Sequence, residues 1–105
     1  MTTFRGPPTD TEQRPAETLG GFLRAVVAAN PDREAVVFSD GSGALRWTYR
    51  DLEREARRVG RALLAAGLEP GERVALLMGN RPEWIASAFG VALAGGVLVP
   101  VNTYL

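Results

Sequence analysis

The 105 residues contain no cysteine and no histidine, and all 12 basic residues are arginine, so lysine is missing as well. Each gap excludes a class of chemistry. Without Cys and His there is no thiolate nucleophile, no Ser-His-Asp triad and no Cys/His zinc site. Without Lys there is neither a phosphate-loop lysine nor a Schiff base. Disulfides are excluded too, and with no secretory signal the expected compartment is the cytoplasm. An excess of either charge is also lacking, because 12 acidic residues offset the 12 arginines. That balance argues against a nucleic-acid partner, which would require a basic excess. Carboxylates and hydroxyls remain, so composition alone leaves acid/base work by paired Asp/Glu open.

What is present is the 46% hydrophobic content of an ordinary globular domain, and the length accommodates one domain or part of one. Residues 1–16 are polar, include Pro7, Pro8 and Pro15, and lack an apolar core segment. They read as a disordered arm rather than a signal peptide. Residues 17–105 carry the organisation.

From Thr18, a plausible N-cap, Leu19, Phe22, Leu23, Val26 and Val27 recur at the spacing of a helix with one buried face. Asn30-Pro31 ends it, Asn30 being suited to a left-handed cap. Glu34 to Ser39 and Ala44 to Tyr49 are β-rich runs separated by Asp40-Gly41-Ser42-Gly43, which predicts a hairpin. Gly41-Ser42-Gly43 is not a dinucleotide fingerprint, because it lacks a third glycine and precedes a strand.

Thr48 opens a long helix reaching Ala66, with Asp51 completing a capping-box start. Tyr49, Leu52, Ala56, Val59 and Leu63 form its apolar stripe, and arginines line the opposite face. Those arginines could form an anion site, but Glu53 and Glu55 interleave them, which favours a solvated face. Gly67 is the helix stop, and Glu69-Pro70-Gly71-Glu72 is a turn. Val74 to Met78 is apolar without alternation, as expected of a parallel strand covered on both faces. A helix over about Pro82 to Leu93 follows. Gly95-Gly96 ends it, and Val97 to Val101 is the next strand. This is a βαβ unit, whose crossover is expected to be right-handed.

No charged residue occurs from Trp84 to Leu105. The stretch is long enough to raise a membrane span, yet Gly90, Gly95, Gly96 and Pro100 interrupt it, and a buried helix followed by a buried strand accounts for it better. Trp84, Ile85, Ala88, Phe89, Val91, Ala92 and Leu93 surround that helix, which therefore demands protein on both faces. The expected fold is α/β, a partial parallel sheet with an N-terminal helix and a hairpin. The remaining apolar faces call for further sequence to cover them.

Functional residues are sparse. Gly79-Asn80-Arg81 lies at the carboxyl end of a parallel strand, where open α/β sheets collect ligands and where helix N-termini favour anions. Asn80 also reads as a plain helix cap with Glu83 closing the box. Asn102, just past the next strand, has the same topology and the same two readings.

Several segments together carry a family resemblance. Trp47-Thr48-Tyr49-Arg50-Asp51-Leu52 resembles the first core motif of the AMP-forming acyl-CoA synthetases and adenylate-forming ligases, W/L-T/S-Y-x-E/D-L. Leu93 to Asn102 resembles their A-G-x-x-x-V-P-x-N segment. Gly71-Glu72-Arg73-Val74-Ala75-Leu76 and Asn80-Arg81-Pro82-Glu83-Trp84 follow the family pattern between them. The resemblance implies an AMP-binding domain whose N-terminal part is this chain and whose remainder is its partner. It implies a parent enzyme that activates a fatty or related carboxylic acid with ATP and Mg2+ to an acyl-adenylate and passes the acyl group to coenzyme A. The family's phosphate loop, ribose-binding acid and catalytic lysine lie later, so the segment is expected to be inactive and to hold no cofactor itself. Thr48, Tyr49, Asp51, Leu52, Gly95, Gly96 and Pro100 carry over as structural positions. Asn80 and Asn102 would lie near the substrate or cofactor. Family members often carry a basic residue shortly after this asparagine, whereas Thr103-Tyr104 stand here. Alone, the chain is expected to pack loosely and to aggregate through its uncovered apolar surface. The competing reading is a self-contained, oligomeric module that binds a nucleotide or anion at the strand ends.

Overall fold

A computed structural model describes residues 18–101. The expected arm at residues 1–16, and Asn102, lie outside the described residues.

Helix α1 spans Leu19–Ala29 and opens at Thr18, whose hydroxyl accepts from the Gly21 N–H at 3.0 Å. It stops at Asn30, as expected, but not through a left-handed cap, because Asn30 has φ −141°. Pro31 supplies the reason: the residue before a proline is pushed out of the helical region, and Asn30 stands at φ −141° and ψ 54°. The buried stripe also differs from the expected one. Gly20, Leu23 and Val27 are buried, whereas Leu19 and Phe22 remain 65% and 51% exposed. Gly20 sits where an added Cβ would come 2.9 Å from Leu93 Cδ2, so α1 rests on its glycine side and turns its aromatic side outward.

Strands β1 (Glu34–Ser39) and β2 (Ala44–Thr48) form the antiparallel hairpin, with Val37 opposite Arg46 and Phe38 opposite Leu45. The Asp40 carboxylate accepts from the Ser42 N–H at 3.0 Å, and Gly41 takes φ +90°, a conformation that favours glycine. β2 ends at Thr48, one residue before the sequence pattern suggests, because Tyr49 already belongs to α2.

Helix α2, Tyr49–Ala65, begins with the expected capping box: the Thr48 hydroxyl accepts from Asp51 N–H at 3.1 Å and the Asp51 carboxylate accepts from Thr48 N–H at 2.9 Å. It ends in a Schellman turn in which Gly67, at φ +96°, donates to the Leu64 carbonyl and Leu68 donates to that of Leu63. Leu52, Ala56 and Gly60 are its buried residues.

Strand β3 (Arg73–Leu76), helix α3 (Pro82–Leu93) and strand β4 (Val97–Pro100) make the βαβ unit, with β3 and β4 parallel and Leu76 opposite Pro100. β3 closes at Leu76, short of the expected Met78, and the ladder's last bond is the one that Val101 N–H donates to the Leu76 carbonyl at 3.0 Å. α3 ends as expected, Gly95 at φ +82° and Gly96 donating back to the Ala92 and Val91 carbonyls.

The core lies where α1, α2 and α3 meet, built from Leu23, Val27, Leu52, Ala56 and Ala86. Trp47, Tyr49 and Phe89 flank it. The β3–β4 sheet is not covered on both faces among the described residues. α3 packs against the side of Val74, Leu76 and Leu98, while Val97 and Val99 on the other side are 48% and 38% exposed. Among the described residues no helix is long and apolar enough to cross a membrane.

Candidate functional site

The carboxyl end of β3 leads into Gly79-Asn80-Arg81, and this turn forms one wall of a shallow cleft of about 220 Å³. Val36, Val37 and Phe38 of β1 face it, and Trp84 and Ile85 of α3 complete it. The hairpin and the βαβ unit thus meet at the strand end singled out in the sequence.

Asn80 is exposed and lines this cleft. It does not cap α3. The N-cap is Arg81, which makes no side-chain cap bond, and the expected Asn80–Glu83 box is not formed. Pro82 explains the shift. As the first helical residue it fixes its own φ and holds Arg81 extended, at φ −130° and ψ 159°, so the helix starts at Pro82 as expected and the cap position falls on Arg81. Glu83 pairs instead with Arg81, at 3.4 Å.

For Arg81, part of the turn singled out in the sequence, the cap position and the contact with Phe38 were not foreseen. Its guanidinium lies 5.2 Å from the centre of the Phe38 ring, joining the hairpin to the start of α3 through a cation–π contact. It also adds to the field on Asp40, whose carboxyl is held below the usual aspartate range chiefly by the Ser42 hydroxyl and backbone N–H. Pro82 signals the cap position alone, since a proline at the first helical position makes its predecessor the cap.

Of the other singled-out positions, Thr48 and Asp51 form the α2 cap, Leu52 is 4% exposed in the core, and Tyr49 packs beside it. Gly95, Gly96 and Pro100 terminate α3 and β4. All seven structural positions therefore build the scaffold, and only Asn80 faces the cleft.

Among the described residues no polar or charged side chain is buried, and no three carboxylates gather where they could hold a metal ion. The cleft offers an apolar wall, an amide and a guanidinium. A planar or anionic group could rest there.

The sequence model of the AMP-binding enzyme family matches residues 23–105. An acyl-CoA ligase of Aspergillus fumigatus, sidI, is 42% identical over 85 residues, covering 81% of this chain and 14% of the relative. The long-chain-fatty-acid–CoA ligase FadD13 of Mycobacterium tuberculosis is 37% identical over 89 residues, covering 85% of this chain and 17% of the relative. The crystal structure of a fatty acyl-adenylate ligase from L. pneumophila, in complex with acyl adenylate and pyrophosphate, superposes with a TM-score of 0.79 at 26% identity. It covers 88% of this chain and 16% of the structure. The chain thus spans a small part of the length of the proteins it matches.

Proposed function

Because the chain belongs to the AMP-binding enzyme family, we propose that it serves as the N-terminal scaffold of a carboxylic acid–CoA ligase. Such a ligase uses ATP and Mg2+ to join a fatty or related acid to AMP, and then passes the acyl group to coenzyme A. In this reading the segment works in the cytoplasm, is inactive alone, and contributes packing surface rather than reacting groups. The observation that carries it is the bare apolar side of β3–β4, with Val97 and Val99 exposed, because parallel sheets are stable when both faces are covered. A groove of about 280 Å³ beside α3, lined by Leu19, Trp84, Phe89 and Leu98, supports it as a second uncovered surface. In this reading Mg2+, which binds through one or two carboxylates plus substrate phosphates, is held together with ATP by other parts of the parent enzyme.

The cleft at Asn80 and Arg81 favours one competing reading, a small module that binds a nucleotide or anion by itself. Titration calorimetry of the chain with ATP, AMP and coenzyme A separates the two. The scaffold reading expects no heat from any ligand and no ATP–pyrophosphate exchange with a fatty acid. It also expects exchange activity when the chain replaces the matching segment of the L. pneumophila ligase. Saturable nucleotide binding by the chain alone overturns it.

A further inference from the structure

The arginines of this chain are not equivalent in their surroundings. Arg46, Arg50, Arg54, Arg57, Arg58 and Arg81 each have a carboxylate within 4.0 Å. Arg54–Asp51 and Arg58–Glu55 are pairs within α2, and for them the mixed-charge, solvated face expected from the sequence holds. Arg24 and Arg61 have no such partner among the described residues, and both line one groove between α1 and α2. The third arginine of that groove, Arg57, is held only loosely, its Nε 3.6 Å from Glu53.

The groove has a volume of about 220 Å³, with Gly60, Leu64 and Leu93 completing its lining and no carboxylate among its lining residues. Gly60 is buried at its floor, while Leu64 is 55% exposed. Three guanidinium groups around an aliphatic floor combine two demands. The cations match carboxylates, which guanidinium binds through paired hydrogen bonds, and the floor matches an aliphatic side chain. A free anion meets the first demand and leaves the floor wet. A flat bilayer reaches the arginine tips but not Gly60.

We propose that this groove is a docking site for an acidic segment of a partner protein, one that presents carboxylates to Arg24, Arg57 and Arg61 and seats an aliphatic side chain beside Leu64. The charge complementarity is local. The chain as a whole is neutral, so the attraction comes from these three side chains and not from a general basic surface. The groove shares no lining residue with the Asn80 cleft or with the apolar groove beside α3 on which the ligase reading draws.

The test is fluorescence anisotropy with a labelled helical peptide of Glu, Leu and Ala that carries one leucine stripe flanked by glutamates. A matched peptide with Gln for Glu is the control. Circular dichroism verifies that each variant keeps its helical signal. The chain is expected to bind the Glu peptide and not the Gln peptide, with affinity falling as salt is raised. The double variant R24E/R61E is expected to weaken binding about tenfold or more, and R73E, at an arginine outside the groove with no carboxylate within 4.0 Å among the described residues, to leave it within about twofold. Equal binding of the two peptides overturns the proposal, as does equal loss in R73E. Binding to phosphatidylserine vesicles, or to inorganic phosphate at millimolar concentration, in the absence of peptide binding also overturns it.

Discussion

Gly90 on α3 lies so close to Val59 on α2 that a Cβ at Gly90 would stand 2.6 Å from the Val59 Cβ and 2.8 Å from the Ala56 carbonyl oxygen. Gly60 completes this seam from the other side, where an added Cβ would meet the Gly90 carbonyl oxygen at 3.2 Å. The two helices are in near-backbone contact because both sequences place small residues, Ala56 and Gly60 against Ala86 and Gly90, along the facing stripes.

Gly90→Ala is therefore expected to cost about 1–3 kcal/mol, since the atoms it meets are backbone and a β-branched side chain that cannot swing away. Gly20→Ala is the control. Its Cβ meets the far end of the Leu93 side chain at 2.9 Å, which another rotamer relieves, so its cost is expected to stay below about 1 kcal/mol. Urea unfolding followed by circular dichroism compares them. Equal midpoints for the two variants would contradict the close seam.

The same seam explains what the sequence could and could not reveal. The positions of the helix ends were legible because each is a local event, a threonine cap, a glycine in the left-handed region or a proline, although the cap residue of α3 and the cap conformation of α1 were not. The α/β class and the hairpin followed from periodicity and the Asp40–Gly43 turn. The buried side of α1 was not legible, since hydrophobicity pointed to Leu19 and Phe22 while the contact is decided by the missing side chain of Gly20. Arg81 was hidden for a related reason. Its role depends on Phe38, 43 positions earlier in the chain, and nothing local marks that approach.

The capping box at Thr48 and Asp51 makes a pH prediction. The Asp51 carboxyl is held below the ordinary aspartate value, first by the Thr48 backbone N–H, then by the Thr48 hydroxyl, with Arg54 adding to the effect. A carboxyl with a lowered pKa in the fold contributes stability that is present above its unfolded value, about 4, and is lost as pH falls through the lower folded value. Stability is thus expected to decline below about pH 4. Asp51→Asn removes this share of the decline, and Asp40, lowered by Ser42, retains another. Thr48→Ala at neutral pH is expected to cost about 1 kcal/mol. Thermal midpoints measured across the acid range test both, and an Asp51→Asn profile parallel to that of the parent would refute the assignment.

The uneven covering of the molecule predicts uneven behaviour in solution. α2 and α3 bury their common seam, whereas β3 and β4 have one partner each and one bare side. The chain alone is expected to keep a helical signal, bind a hydrophobic dye and self-associate. Its β3–β4 amides are expected to exchange faster than those of α2. Val97→Lys with Val99→Lys is expected to reduce both dye binding and self-association. A sharp cooperative melt of a monomeric sample that binds no dye would contradict this picture.

Gly95 offers the most local test of how α3 is joined to β4. Its φ of +82° lies in the left-handed region, and its carbonyl accepts from the Gly71 N–H at 2.8 Å, tying this turn to the one that precedes β3. An alanine there meets no steric neighbour within 4 Å, so any cost it imposes is backbone strain alone, about 1–2 kcal/mol. Asparagine tolerates this region better, and Gly95→Asn is therefore expected to fall between the parent and Gly95→Ala in urea midpoint. The order glycine, asparagine, alanine follows only if strain is the cause. Equal losses for the two variants would show that the turn is limited instead by packing.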